Sequence, residues 1–210
     1  MNDRRFALLI NSIWNFLQNY YDEKSEIHPE EFIIFTSNGS PRLLIDEKPE
    51  TDEAFIAIEF PVSIRNEVDS KSLLTAQNLS IVCEELSHFF HVTNAAQENY
   101  SISVLDLETI AEIDRFLCFM HWNDFFPDQS MAKKHENCLE LCDTLFEHRT
   151  FQTSNEPLYF DAESRALHHI KKAFSHCWTK RWIDTSKFDS FARAYLLDRM
   201  VKLKGTQWAA

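Results

Sequence analysis

Apolar residues recur along this chain at two spacings, one helical and one strand-like. Phe6, Leu9, Ile10, Ile13, Leu17 and Tyr20 fall on a single helical face, which predicts an opening helix over about 3–21. The stretch 31–36 reads as a strand and is followed by Asn38-Gly39, the best short hairpin signal in the chain. Residues 41–45 then read as the returning strand. An acidic turn over 46–53 leads to a third strand over 54–64, whose Ile56, Ile58, Phe60 and Val62 alternate onto one face. Together these predict a three-stranded antiparallel meander, with Pro61 placing the third strand at an edge or a bulge.

After Ser70 the spacing becomes helical and stays so. Helices are expected over about 72–96, 103–121, 130–149, 162–182 and 187–204. The second of these has a well-marked start: Ser103-Val-Leu-Asp106 has capping-box spacing, with Ile102 and Leu107 placed to form a hydrophobic staple. The expected fold is therefore α+β, an N-terminal helix and antiparallel meander followed by a bundle of about five helices. It reads as one domain over 1–210, with a helix-plus-meander portion (1–70) and a helical portion (71–210).

Composition removes several function classes. The chain has only two glycines, Gly39 and Gly205, where about 15 would be ordinary. Phosphate-cradling loops need several glycines for close backbone approach, so P-loop, dinucleotide-binding and kinase-type loops cannot be written here, and no nucleophile elbow is present. The longest apolar runs, such as Phe6–Ile10, fall far short of a membrane span. That run follows Arg4 and Arg5 as a signal peptide would, but Asn11, Ser12 and Asn15 interrupt it. Five cysteines, an odd number with no Cys-x-x-Cys pair, lie in predicted helices and read as reduced thiols in a cytoplasmic protein. The net charge of −12 argues against general nucleic-acid binding. It is uneven, with ten Lys and Arg against three Asp and Glu from Arg165 onward, and 11 against 30 upstream.

The strongest candidate for chemistry lies on the helix predicted over 72–96. Glu85 and His88 are i, i+3 neighbours on a face also carrying Ile81, Val82, Phe89 and Val92, while Glu84, His88 and His91 form a more polar line. On the next helix Glu112 pairs in spacing with Glu108, and Asp114 falls on the apolar line of Leu107, Ile110, Ala111 and Leu117. Were the two helices antiparallel neighbours, Glu85, His88, Glu112 and Asp114 would offer mixed nitrogen and oxygen ligands suited to iron, manganese or zinc. Burial would equally fit one of the carboxyls for acid–base work. The Glu-x-x-His resembles one half of the ferritin-like di-iron pattern, of which this chain holds a single copy. The alternative is structural: His88 in a buried network and Glu85 paired with an arginine such as Arg115.

Two further stripes carry candidate chemistry. His135, Cys138 and Cys142 could begin a zinc site, but they lie beside Met131, Leu139, Leu145 and Phe146 and read more simply as a core face. Arg165, His169, Lys171, Lys172, His176 and Lys180 make a basic surface near Phe174 and Trp178, the makeup of some nucleic-acid surfaces. Docking against the acidic remainder of the chain accounts for it better, and nucleic acid is not the expected partner. The expectation is a non-catalytic module that binds another protein through its acidic surface or the meander's edge. An enzyme centred on Glu85 and His88 stands second, and nucleic-acid binding third.

Overall fold

The computed structural model describes residues 3–37, 39–48, 50, 53–70, 75–99, 101–122, 140–147 and 156–180. Helix α1 (Asp3–Tyr21) buries Phe6, Ile10, Ile13, Leu17 and Tyr20 of the face its spacing predicts, with Leu9 half-buried and Trp14 added to the buried side. It ends at Asp22, whose φ of 57° is the left-handed position that glycine usually fills. The Glu23 N–H then reaches back to the Gln18 carbonyl (3.0 Å), so a chain poor in glycine still closes this helix by the usual reversal. A 3-10 turn (Pro29–Phe32) leads into three strands: β1 (Ile33–Thr36), β2 (Arg42–Lys48) and β3 (Glu53–Pro61).

The sheet is mixed, and its order is β1-β3-β2. The predicted antiparallel meander is thus corrected: β3 is central, antiparallel to β2 and parallel to β1. The expected hairpin at Asn38-Gly39 does not form, although Asn38 itself lies outside the described residues. Instead the link 37–41 carries the chain across the end of β3, since Thr36 pairs with Pro61 on one side and Arg42 with Glu59 on the other. Pro61 marks no edge. It is the last residue of the central strand, where a missing N–H costs least.

Alternation along β3 decides which face is buried. Ile58 and Phe60 point to the core, and Phe6 of α1 packs edge-on against both Phe35 and Phe60, at ring separations of 5.3 and 5.9 Å. Glu59 lies on the opposite face yet is only 4% exposed. The crossing link covers it. Its carboxylate accepts from Arg42 Nε (2.6 Å) and from the Thr36 hydroxyl, and that hydroxyl accepts in turn from the Gly39 N–H (3.1 Å). A Cβ on Gly39 would collide with Thr36 Oγ1 and the Glu59 carboxylate, so close approach explains the one glycine of this region.

After Pro61 the chain turns directly into α2 (Val62–Ser70), where a continuing strand was expected to Ile64. Ile64 and Val68 are the buried pair, four residues apart, and that spacing is helical rather than alternating. Glu67 of α2 accepts from the Thr75 N–H (2.9 Å) and from the Asn78 amide, while Thr75 caps α3 through the Asn78 N–H (3.3 Å). Helix α3 (Ala76–Gln97) packs on α1 through rings, with Trp14 against Phe89 and Phe90 and Tyr21 against Phe90.

The chain divides into two compact units, Met1–Thr93 and Asn94–Ala210. The second is built on α4 (Val104–Trp122) and α5 (Glu156–Lys180), which pack on each other, with a π-helical turn at Asp143–Glu147. The predicted cap of α4 is present: Ser103 Oγ accepts from the Asp106 N–H (3.1 Å) and donates to its carboxylate (2.7 Å). Helix α5 starts at Glu156, six residues earlier than its periodicity suggests, because Pro157 fits a helix's first turn. The helix expected over 187–204, and most of that over 130–149, lie outside the described residues.

The Glu59 pairing gives a pH test. The hydrogen bonds from Arg42 and Thr36, and the Arg42 charge, hold its pKa below the ordinary 4.5, overriding the opposing effect of burial. A carboxylate lowered on folding adds stability above its unfolded pKa and loses it as pH falls through the folded one. Urea midpoints measured down a pH series should therefore separate wild type from Glu59→Gln most clearly near neutrality. The two should converge in acid; a gap that stays constant down to pH about 3 would count against this pairing.

Candidate functional site

Helix α3 is buried almost all round between Val82 and Ala95, and its polar residues are buried with it. Glu85 and His88 are each 7% exposed, and the His88 Nδ1 stands 3.6 Å from Glu85 Oε2. This is ion-pair range but long for a hydrogen bond. One turn on, His91 is buried too, edge-on to Tyr21 at 4.8 Å and to Phe90 at 5.2 Å. The line expected to be polar is therefore interior at His88 and His91, with only Glu84 partly exposed.

Glu112 and Asp114 belong to the second unit, on α4. Arg115 is 2% exposed, forms an ion pair with Glu112 three residues before it, and donates from Nη2 to the Leu145 carbonyl (3.1 Å) of the π-helical turn. Its guanidinium also lies 5.7 Å from the centre of the Phe146 ring. Arg115 is thus engaged with Glu112, and His88 is a partner of Glu85. Asp114 is fully buried. Among the described residues no three His, Cys, Asp or Glu stand together so as to hold a metal ion. Cys142 is buried as a free thiol beside Leu141, Leu145 and Phe146, while His135 and Cys138 lie outside the described residues.

On α5 the core face is Ala162, Ala166 and Ile170. Arg165, Lys171 and Lys172 are exposed, and His169 is half-buried with its ring edge-on to His168 at 5.7 Å. The side chains of His176 and Lys180 lie outside the described ones. A basic outer line is present over the described part of this helix.

The feature that sequence reasoning located only in outline is the open edge of the sheet. Strand β2 bonds to β3 on one side, and among the described residues no strand pairs on its other side. Its register gives Arg42, Leu44, Asp46 and Lys48 to the outer face and Leu43 and Ile45 to the core-facing one. Exposed apolar side chains stand at it and on its neighbour: Ile45 on the edge itself and Phe55 on β3 beneath Lys48 (4.5 Å from the ring centre). Glu59 was missed altogether. Its only signal is an acid lodged between Ile58 and Phe60, which marks an outer face but not a bridge.

These elements define an α+β protein with an open mixed sheet, and among the described residues no helix is long and apolar enough to cross a membrane. The chain has no significant match to any protein-family model, curated protein or solved structure.

The Arg115 pair can be tested directly. Replacing Arg115 by Met leaves the Glu112 carboxylate buried without its cation and should cost about 3–5 kcal/mol in chemical unfolding. Adding Glu112→Leu should restore most of that loss, because a matched apolar pair need not be solvated. A double variant as unstable as the single one would show that the pair is not the source of the effect.

Proposed function

We propose that this protein is a non-catalytic protein-interaction module that takes a partner strand on the edge of its sheet. The observation that carries this reading is β2: seven residues long, bonded on one side only among the described residues, with exposed Ile45 on it and exposed Phe55 on the strand beside it. An extended segment laid along such an edge gains main-chain hydrogen bonds, and alternate side chains give it specificity. The prolines flanking β2, Pro41 and Pro49, and its charged Arg42, Asp46, Glu47 and Lys48 are devices that limit indiscriminate pairing. They favour an edge kept for a matched partner. The acidic balance of the upstream chain adds selectivity for a partner with basic flanks. Capture experiments with the full chain as bait should recover a defined protein, and Ile45→Lys should lose it while keeping the wild-type melting temperature. Equal recovery by both baits would remove β2 from the interface.

The burial of both Glu85 and His88 supports a second reading, an acid–base or metal-assisted site on α3. In that case purified protein should carry near-stoichiometric iron, manganese or zinc, or turn over a substrate, and His88→Ala should abolish either. Elemental analysis showing no metal, together with His88→Ala altering thermal stability alone, would leave the pair a structural one.

A further inference from the structure

The chemistry of β2 names a partner more closely than its openness does. Two copies of one strand can pair antiparallel about a two-fold axis only in certain registers. Along an edge, alternate residues turn their backbone N–H and C=O outward, and directly opposed residues must both point outward or both inward. Registers that oppose an even-numbered residue to an odd-numbered one fail this condition. They would also bring the core-facing side of one sheet level with the outer side of the other. The axis must therefore pass through a residue.

An axis at Ile45 opposes Arg42 to Lys48 at both ends, and like charges directly opposed are destabilising. An axis at Leu43 draws Pro41 and Ser40 into the ladder, where proline has no N–H to donate. An axis at Leu44 opposes no like charges and pairs the whole stretch 42–46 before Pro41 comes opposite Glu47: Arg42 opposes Asp46 twice, Leu43 opposes Ile45 twice, and Leu44 meets itself. The neighbouring strands reinforce this register. Glu59 lies beside Arg42 on β3, and Phe55 lies beside Asp46. Each outer row across the joined sheets would read Phe55, Asp46, then the second copy's Arg42, Glu59 and Ile34.

In that row the guanidinium lies between two carboxylates. Arg42 gives Nε to Glu59, its side chain is 60% exposed, and its terminal nitrogens can turn to an incoming carboxylate. On the core-facing side, Ile45 is 48% exposed and would gain Leu43 of the second copy as a neighbour. We infer that β2 is a self-complementary edge, and that its partner is a second copy of this chain, paired antiparallel about Leu44. The inference rests on the strand-addition reading above and narrows it to one occupant.

Sedimentation of the full chain over a concentration series should show a reversible dimer. Asp46→Lys turns both end contacts repulsive and should raise the dissociation constant about tenfold. Register is read by cysteine substitution under mild oxidation. Leu44→Cys should give a disulfide joining position 44 of one copy to position 44 of the other, identified by peptide mapping. Ile45→Cys should link several-fold less, because its two copies lie diagonally apart, roughly 7–8 Å. A chain that stays monomeric throughout, or a dimer linking preferentially through position 45, would overturn the proposal. Exchange at the outward-facing amides of β2, those not bonded to β3, separates the two levels of failure. Fast exchange in the pure protein with protection in a captured complex removes the second copy and keeps strand addition; fast exchange in both removes the two together.

Discussion

The first unit depends on a single carboxylate. Glu59 sits on the outer face of the central strand, where a solvated acid would be ordinary, but the chain crossing from β1 to β2 passes directly over it. Covering a charge without partners is costly, and here three groups answer it: the Arg42 guanidinium, the Thr36 hydroxyl and, through that hydroxyl, the Gly39 N–H. Those groups come from both edge strands and the link between them. One side chain on β3 thereby ties β1, β2 and their connection to the same end of the sheet. The β1-β3-β2 order and the burial of Glu59 are two aspects of one arrangement.

The second unit handles buried charge differently. Asp106, Glu108, Glu112, Asp114 and Arg115 are all buried on one helix, and Glu163 is buried on α5. Arg115 is the anchor that can be traced: it holds Glu112 on its own helix and a carbonyl of the π-helical turn thirty residues on. A turn wound more widely than an α-helix presents carbonyls outside the regular ladder, and Arg115 takes one of them. Such an ion pair adds little net stability over an apolar core, but it penalises packings that separate its members. This favours one seating of the turn on α4.

Local patterns were readable wherever local forces decide the outcome. The face of α1, the Ser103–Asp106 cap and the alternation through Ile58 and Phe60 all follow from contacts within a few residues, and all are present. The sheet order was not readable, because Asn38-Gly39 is a strong local hairpin signal while pairing here is settled by distant groups. Phe6 on α1 gathers Phe35 and Phe60 side by side, and Glu59 then requires partners from both flanks. Helix α2 escaped notice because Val62 extends the strand's alternation by one step, hiding the helical Ile64–Val68 pair. At the candidate site, the Glu85–His88 spacing correctly implied proximity. What surrounds a buried polar pair is decided by other helices, and a single helix's sequence cannot carry that information.

The central position of β3 also constrains the order in which the sheet can assemble. Strand β2 ends at Lys48 and β3 begins at Glu53, so their ladder closes between near neighbours in sequence. β1 has no ladder to join until β3 is in place, because β3 is its only neighbour among the described residues, and the pairing of Ile33 with Ile58 closes a loop of about 25 residues. The β2–β3 ladder spans the shorter separation in sequence, and the parallel β1–β3 ladder closes the longer one. Thr36, at the end of the shortest strand, is then a latch: its hydroxyl meets the Glu59 carboxylate only once β1 lies beside β3.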